Sequence, residues 1–445
     1  MKRVITYGTF DMFHRGHRNL LKHAKELGDY LIVGVTSENF DRNRGKLNVH
    51  DPLMVRVENV RKSGYADEII VEEYVGQKID DIQKYDIDIF TVGSDWVGHF
   101  DYLKEYCEVR YLPRTKGISS TEIRNRNLVR IGMIGAENIA RRFIDEKRYV
   151  SGTELVGIWD GELAGQAANL AAAQGIPLFE NIDGLIRASD AVYINTPPVT
   201  HEAYIRKAIT AGKHVLCEFP FAFSPDVVDE LYALAREQGV ILFHGLKTAY
   251  CPAFQRLISH AKTGLIGNII TVDASFTRVL GNGLAHQIRI SSGGSVHAFA
   301  EYPLLAFVKL LGQDVQDVEF FSRSNEDGYD IYTRFLLRYP QALGSAVVGI
   351  NAKSEGCLVI TGTRGYIYVP APWWKTEYYE ARFEDTNKNM KFFYKFQGEG
   401  LRYEIAEFTR CIHARKESLL LTQEETRLMA KVMETFDKGQ QTSSF

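Results

Sequence analysis

The most telling chemistry in this chain lies in Gly8-Thr9-Phe10-Asp11-Met12-Phe13-His14-Arg15-Gly16-His17. His14 and His17 stand three residues apart, so on a helical turn they point the same way. Gly8 closes a β-rich run, Val4–Tyr7, and lets the backbone come close to a ligand. Gly16 falls where a helix should begin, and a helix N-terminus offers N–H groups and positive potential that suit phosphate. Two imidazoles there can donate hydrogen bonds to α- and β-phosphate oxygens as charge builds during transfer, which is electrostatic catalysis rather than general-base work. A second anion site is expected in Arg114-Thr115-Lys116-Gly117-Ile118-Ser119-Ser120-Thr121. Ser119–Thr121 supply hydroxyls and N–H groups at a new helix start, and Arg114 can clamp a phosphate bidentately. A bare His-x-Gly-His is as often a surface helix start, and Ser119 or Ser120 also reads as an N-cap; a cap and a phosphate site are compatible.

The elements that must hold these residues alternate strand and helix. Asp29–Val35, Glu68–Val71, Ile89–Val92 and Val109–Tyr111 read as strands and Val55–Ser63 as helix, which together make a small doubly wound parallel-sheet domain over 1–126. The polar stretch Arg124–Asn127 marks the boundary. A second β-loop-α unit opens at Val129–Ile134 with Gly135, and Leu155–Trp159, Ala191–Asn195, His214–Cys217 and Val240–Phe243 continue it, giving a Rossmann-like domain over 129–250. Closely spaced strand candidates follow: Ile269–Phe276, Tyr332–Arg338, Ala342–Asn351, Cys357–Gly362 and Gly365–Tyr368. They predict a C-terminal α/β domain, 251–445, built on one open, mostly antiparallel sheet. A helix over Gln423–Phe436 and a frayed tail close the chain. The Gly-rich stretch Leu280–Ser295 reads as a loop.

The whole chain has 445 residues, 45% hydrophobic and 24% charged, with a net charge of -3. That excludes a disordered chain and a general nucleic-acid binder, which would carry a basic excess. Five scattered cysteines without a CxxC pair exclude a disulfide scaffold and a zinc ribbon. No apolar run reaches the roughly 18 residues that span a bilayer. No leader pattern precedes the first strand, so a cytoplasmic enzyme with no membrane partner is expected.

The segments VITYGTFD, HRGH, ELGDYLIVGV, DIFTVGSDWVGHFD and YLPRTKGISST resemble the glycerol-3-phosphate cytidylyltransferases of the HxGH nucleotidylyltransferase superfamily along the full first domain. The resemblance implies attack of a polyol-phosphate oxygen on the α-phosphorus of CTP, giving a CDP-polyol and pyrophosphate, with magnesium carried on the triphosphate rather than in a protein cage. The product would feed a cell-wall or capsule polymer. It implies that Gly8, Thr9, Phe10, His14, Gly16 and His17 hold the CTP phosphates, with Lys46 and Arg114 neutralising charge. Gly93, Asp95, Trp96, Thr115, Ile118, Ser119, Ser120 and Thr121 would bind the nucleotide, although Trp96 reads equally well as buried packing. Asp11 would serve the acceptor or the metal, and Arg56 the acceptor. The family usually has an arginine at Gly64; Arg61 or Lys62 would have to replace it, or the acceptor differs.

The segments IGMIGAENIARRF, LVGIWD, INTPPVTHEAYIRKAITAGKHVLCEFP and GLKTAYCPAF resemble the Gfo/Idh/MocA oxidoreductases. That resemblance implies NAD or NADP held by Gly132, Gly135, Asn138, Ile139, Asp160, Asn195, Thr196, Pro197, His201 and Glu218. Three departures matter. Glu137 stands where the fingerprint has its second glycine, bringing bulk and negative charge near a pyrophosphate. Phe219 replaces the lysine of Glu-Lys-Pro, and Ala298 replaces an aspartate. General acid–base help is worth roughly 100- to 10,000-fold, so ordinary hydride chemistry should be impaired. Three readings follow: a cytidylyltransferase with a non-catalytic partner domain; a bifunctional chain in which Lys247, Tyr302 or His297 replaces the lost groups and a sugar phosphate is reduced before activation; or a nucleotide-binding pseudoenzyme, which the complete HRGH and RTKGISST motifs oppose. Both families favour a homo-oligomer.

Overall fold

Val4 and Ile5 are neighbours in sequence and both are fully buried on opposite faces of one strand, so the sheet must be covered on both sides. The structure, a computed structural model, describes residues 1–43, 49, 51–115, 128–161, 164–280 and 293–445. These fall into two units, Met1–Leu128 and Val129–Phe445. In the first, β1 (Arg3–Gly8) is the centre of a parallel sheet ordered β3-β2-β1-β4-β5, with β2 (Tyr30–Thr36), β3 (Glu68–Glu72), β4 (Ile89–Gly93) and β5 (Glu108–Leu112). Its helices are α1 (Arg15–Lys25), α2 (Glu38–Asn43), α3 (Leu53–Lys62) and α4 (Gln77–Lys84). Val4, Leu31, Val33 and Ile89 pack against Leu21 and Ala24 of α1 and Val57 and Val60 of α3. Ile5, Tyr7, Ile32 and Phe90 pack on the other face with Ile82 of α4. The order reverses between β1 and β4, and the crevice at such a switch point, outside the strand C-termini, is where ligands bind in open α/β sheets.

In the second unit a parallel sheet runs β10-β9-β8-β6-β7, with β6 (Val129–Ile134), β7 (Thr153–Trp159), β8 (Ala191–Ile194), β9 (His214–Glu218) and β10 (Leu242–Gly245). Around it lie α5 (Asn138–Lys147), α6 (Ala164–Gln174), α7 (Ile182–Ala188), α8 (His201–Thr210) and α9 (Pro225–Glu237). Beyond come α10 (Pro252–Lys262), α11 (Ser295–Phe299), α12 (Glu301–Leu311), α13 (Leu401–Ala414) and α14 (Gln423–Asp437). A nine-stranded sheet is ordered β18-β17-β16-β15-β11-β14-β13-β12-β19. Its strands are β11 (Ile269–Thr277), β12 (Asp317–Ser324), β13 (Asp330–Arg338), β14 (Leu343–Gly349), β15 (Leu358–Gly362), β16 (Gly365–Val369), β17 (Tyr378–Phe383), β18 (Met390–Phe393) and β19 (Thr442–Ser444). It is mixed: β11 pairs with β14 and β12 with β19 in parallel, and the remaining pairs are antiparallel.

Several elements differ from the sequence expectation, each for a physical reason. The tail is not frayed: Thr442–Ser444 pairs with Phe320–Ser322, because the edge strand β12 leaves its backbone groups open to a partner. The strand expected from Val240 begins at Leu242. Val240 is used instead to close α9, its N–H bonding the Ala235 carbonyl at 3.0 Å while Gly239 turns left-handed at φ +66°. Helix α12 was not expected, because EYPLLAFVKLL is apolar nearly all round and buried on almost every side, so it shows no 3.6-residue stripe. Among the described residues no helix is long and apolar enough to cross a membrane.

Tyr7 lies across Gly34, its register partner on β2: a Cβ at Gly34 would stand 2.2 Å from the Tyr7 ring. The ring cannot swing away without breaking the 2.8 Å bond from its hydroxyl to Asp81 Oδ2. Gly34→Ala is therefore expected to destabilise the first unit by about 1–3 kcal/mol, read as faster native-state hydrogen exchange of the β1 and β2 amides.

Candidate active site

The loop after β1 is bent hard. Phe10 and Met12 both take left-handed backbone, at φ +53° and +48°, which costs on the order of 1–3 kcal/mol each for residues other than glycine. Asp11, between them, is buried, and it exchanges bonds with the entry to α3. Asp11 Oδ1 accepts from the Asp51 N–H at 2.8 Å, and Asp51 Oδ2 accepts from the Met12 N–H at 3.0 Å. Gly8 keeps this turn tight, since a Cβ there would touch the Phe10 ring at 3.0 Å.

Beneath the loop lies Arg56, fully buried. Its guanidinium donates to the carbonyls of Thr9 (2.9 Å), Thr36 (2.7 Å) and Asp51 (2.9 Å), and faces Asp41 Oδ2 at 3.5 Å. Asp41, also fully buried, accepts from Thr9 Oγ1 at 3.1 Å and Thr36 Oγ1 at 2.6 Å. Arg56 was expected near the acceptor. Three of its donated bonds go to main chain, so its evident work is to tie the ends of β1 and β2 to the start of α3. Its Nη2 is buried without a hydrogen-bond partner among the described residues. Asp41 and Asp51 did not stand out in the sequence, where nothing but tertiary contact distinguishes them from surface acids.

His14 is the N-cap of α1, and its Nδ1 accepts from the Gly16 N–H at 3.0 Å. In the neutral ring that bond leaves the proton on Nε2, at the far corner. His17 stacks on it, with ring centres 3.8 Å apart and planes 20° from parallel. The edges of Phe10 and the tilted ring of Phe13 hold His17, at 5.4 and 5.6 Å. The first turn of α1 carries no acidic residue, while Lys22, His23 and Lys25 occupy its last turn, so the helix dipole is left to face an anion at the N-terminus. The paired imidazoles and the helix N-terminus thus converge beside the switch point.

Opposite, β4 ends at Gly93, where a side chain would meet open space, and Ser94–Trp96 form a 3-10 turn. Trp96 is 42% exposed, against His99 and Phe100, so the packing alternative does not hold. Asp95 and Arg114 approach to 3.4 Å with both side chains half exposed, a contact worth at most about 1 kcal/mol and easily exchanged for a phosphate. Asn19 of α1 donates to Thr115 Oγ1 at 3.0 Å, tying the second motif to the first. Lys46, Ile118, Ser119, Ser120, Thr121 and the Arg124–Asn127 boundary lie outside the described residues, as does most of Leu280–Ser295. A further charged group was missed: Lys78 of α4, nearly buried, pairs with Glu72 at the end of β3 and lies 4.6 Å from the Tyr7 ring centre. Among the described residues no group of three metal-ligating side chains is found.

In the second unit, Gly135 turns at φ +109°, and a Cβ there would strike the Asn195 carbonyl at 2.6 Å. Asn195 buttresses the turn, accepting from the Glu137 N–H at 3.2 Å and donating to the carbonyls of Ile134 and Gly135. Asp160, expected at a ribose, accepts from the Ala136 N–H at 2.7 Å and so also shapes the turn. His201 is buried between the carbonyls of Thr196 (2.8 Å) and Pro220 (2.9 Å), and burial pushes its pKa down. Thr196 and Pro197 are tied in turn by Thr200 Oγ1. Gly132 is required by packing, since a Cβ would meet Ser189 Oγ at 2.3 Å, against α7. Asn138 and Ile139 open α5 behind Glu137. The glycine turn, the helix N-terminus and the strand ends fit a dinucleotide; Glu137, the N-cap of α5, is the misfit. Glu218 accepts from the Tyr193 hydroxyl at 2.6 Å, and burial pushes its carboxyl up to about 7. Phe219 meets Tyr302 edge-on at 4.9 Å. Ala298 is buried on α11, and His297 beside it bonds Asp437 instead.

The first unit is a nucleotidylyltransferase domain. The cytidylyltransferase-like family profile matches residues 5–126, and that of the oxidoreductase family with an NAD-binding Rossmann fold matches 129–246. The chain is 54% identical over 124 residues to glycerol-3-phosphate cytidylyltransferase of Bacillus spizizenii, covering 28% of this chain and 95% of that protein. It is 48% identical over 126 residues to the enzyme of the same name from Staphylococcus aureus, covering 28% and 93%. Through this unit the chain belongs to the glycerol-3-phosphate cytidylyltransferase family. The remainder carries an oxidoreductase domain. It is 27% identical over 329 residues to trans-1,2-dihydrobenzene-1,2-diol dehydrogenase of Bos taurus, covering 70% of this chain and 96% of that one. It shares its fold with KijD10, a 3-ketoreductase from Actinomadura kijaniata, at TM-score 0.65 and 23% identity over 72% of this chain and 100% of that one.

Arg56→Met removes the donors that satisfy three carbonyls and leaves Asp41 a buried charge. It is expected to cost about 3–5 kcal/mol of first-unit stability, with the loss seen in denaturant unfolding and reduced when Asp41→Asn is added.

Proposed function

We propose that the first unit transfers the cytidylyl group of CTP to glycerol 3-phosphate. The observation that carries this reading is the stacked His14–His17 pair at the N-terminus of α1, beside the strand-order reversal. The near-full coverage of relatives at 48–54% identity supports it. A phosphate oxygen of the acceptor attacks the α-phosphorus of magnesium-bound CTP. The bond to the β-phosphate oxygen breaks, and pyrophosphate leaves. The attacking oxygen is already anionic, so no protein base is needed. His14, through Nε2–H, and His17 stabilise charge that builds on the phosphates. Thr9, Phe10 and Gly16 shape the phosphate cradle, Arg114 clamps a phosphate, and the Gly93–Trp96 rim holds the base. Asp11 and Arg56 are assigned to the acceptor side, Arg56 through the loop floor that it fixes.

The second unit is read as a dinucleotide-binding domain over 129–250 followed by a second domain over 251–445. The turn at Gly135, with Asn195, Thr196, Pro197, His201 and Glu218, would hold NAD or NADP, which when bound accepts or donates two electrons with one hydrogen. The proton route through positions 219 and 298 is broken by Phe219 and Ala298.

Pyrophosphate release from CTP and magnesium, across glycerol 3-phosphate, ribitol 5-phosphate, erythritol 4-phosphate and phosphoethanolamine, tests the first reading. Glycerol 3-phosphate is expected to be the best acceptor. His17→Ala should lower turnover at least about 100-fold with circular dichroism unchanged; near-normal turnover in that variant would refute the site.

A further inference from the structure

Lys247 is a cation that the nucleotide reading leaves unused. It stands two residues beyond β10, whose last residue, Gly245, is the register partner of Glu218 at the end of β9. It therefore lies at the C-terminal edge of the parallel sheet, with the Gly135 turn and Asn195, where a dinucleotide's reacting end must come. Its residue is only 8% exposed, yet its Nζ has no hydrogen bond or ion pair among the described residues. Beside it, on α13, Glu404 is fully buried, with both carboxyl oxygens lacking a hydrogen-bond partner among the described residues. Buried polar groups are rarely left so in proteins, and such orphans are completed by water or a ligand. The turn Lys247–Tyr250 is rigid: Thr248 Oγ1 bonds the Trp374 carbonyl at 2.9 Å, and the Tyr250 hydroxyl bonds the His244 carbonyl at 2.6 Å. An aromatic wall of Phe219, Tyr302, Phe276 and Trp374 adjoins it.

We propose that Lys247 is the proton-transfer residue of the second unit, doing at the end of β10 what position 219 does not, with Glu218 as its positioning carboxyl and a polyol or sugar hydroxyl as its substrate group. This rests on the oxidoreductase reading of that unit. In the oxidising direction the carbinol C–H bond breaks, and its hydrogen leaves with both electrons for the nicotinamide ring of bound NAD or NADP. The C=O double bond forms as the hydroxyl proton passes to the Lys247 amine, which accepts it in its unprotonated form. The two other candidates are engaged or inert. His297 is held by Asp437 at 2.9 Å, and burial keeps the Tyr302 phenol protonated. Burial pushes the Lys247 pKa down against the attraction of Glu218 and Glu399; Lys375 adds to the depression and Cys251 opposes it. Burial also pushes Glu404 well up, and Glu218 reinforces this, so Glu404 supplies a neutral acid rather than a charge.

The test uses the full chain with its lysines reductively methylated with carbon-13, the Lys247 signal being assigned by its loss in Lys247→Arg, or in Lys247→Gln if arginine is not accommodated. The signal is expected to titrate below those of the exposed lysines and to shift on saturation with NADH or NADPH, binding being followed separately by tryptophan quenching. A signal that titrates with the exposed lysines, or one unmoved by a dinucleotide that binds, overturns the assignment. Failure of both dinucleotides to bind overturns the oxidoreductase reading beneath it, while pyrophosphate release from CTP stands untouched. In any polyol oxidation by the full chain, Lys247→Gln should lose roughly 100- to 10,000-fold in kcat while dinucleotide affinity holds; retained kcat would count against the proposal.

Discussion

A buried guanidinium governs the first unit. Arg56 ties together three chain segments: the end of β1 through Thr9, the end of β2 through Thr36, and the start of α3 through Asp51. Charge alone would not keep it inside, because burying a cation is expensive unless it is paired and hydrogen-bonded. Asp41 and the three carbonyls meet that condition. The loop from Thr9 to Phe13 then inherits a fixed floor, and its two left-handed residues hold Asp11 against Asp51. His14 follows directly, already capping α1, and His17 stacks on it. The geometry of the histidines thus descends from a residue that need not touch a reacting atom.

The parallel sheets were legible because both carry short, continuous apolar runs punctuated by glycine, and the runs have the right length for strands covered on both faces. The histidine motif was legible because its chemistry sits in consecutive residues. What escaped depended on distant partners. Asp41, Asp51 and Lys78 look like surface charges until β1, β2, β3 and α3 bring their partners together. Helix α12 escaped because burial on nearly all sides erases periodicity, and β19 because a polar tail pairs through its backbone alone.

The second unit shows how one side-chain set can do scaffold work where binding was anticipated. Asn195 and Asp160 stand at strand ends and His201 opens α8, but each uses hydrogen bonds on neighbouring loops. They shape the crevice. Position 219 is part of an aromatic wall, and a buried lysine stands one strand over at Lys247. A purely structural domain would have little reason to keep two carboxyls and a lysine in its interior, since apolar residues of the same shape are generally no worse for stability.

The central claim is that an acceptor phosphate oxygen attacks the α-phosphorus of CTP within the site built around His14 and His17. The direct measurement is phosphorus-31 NMR of the products when glycerol 3-phosphate carries oxygen-18 in its phosphate. All of the label is expected in the CDP-polyol, with one labelled oxygen bridging the two phosphorus atoms, and none in the released pyrophosphate. Label in the pyrophosphate, or CTP consumed to CMP without incorporation of the acceptor, would contradict it.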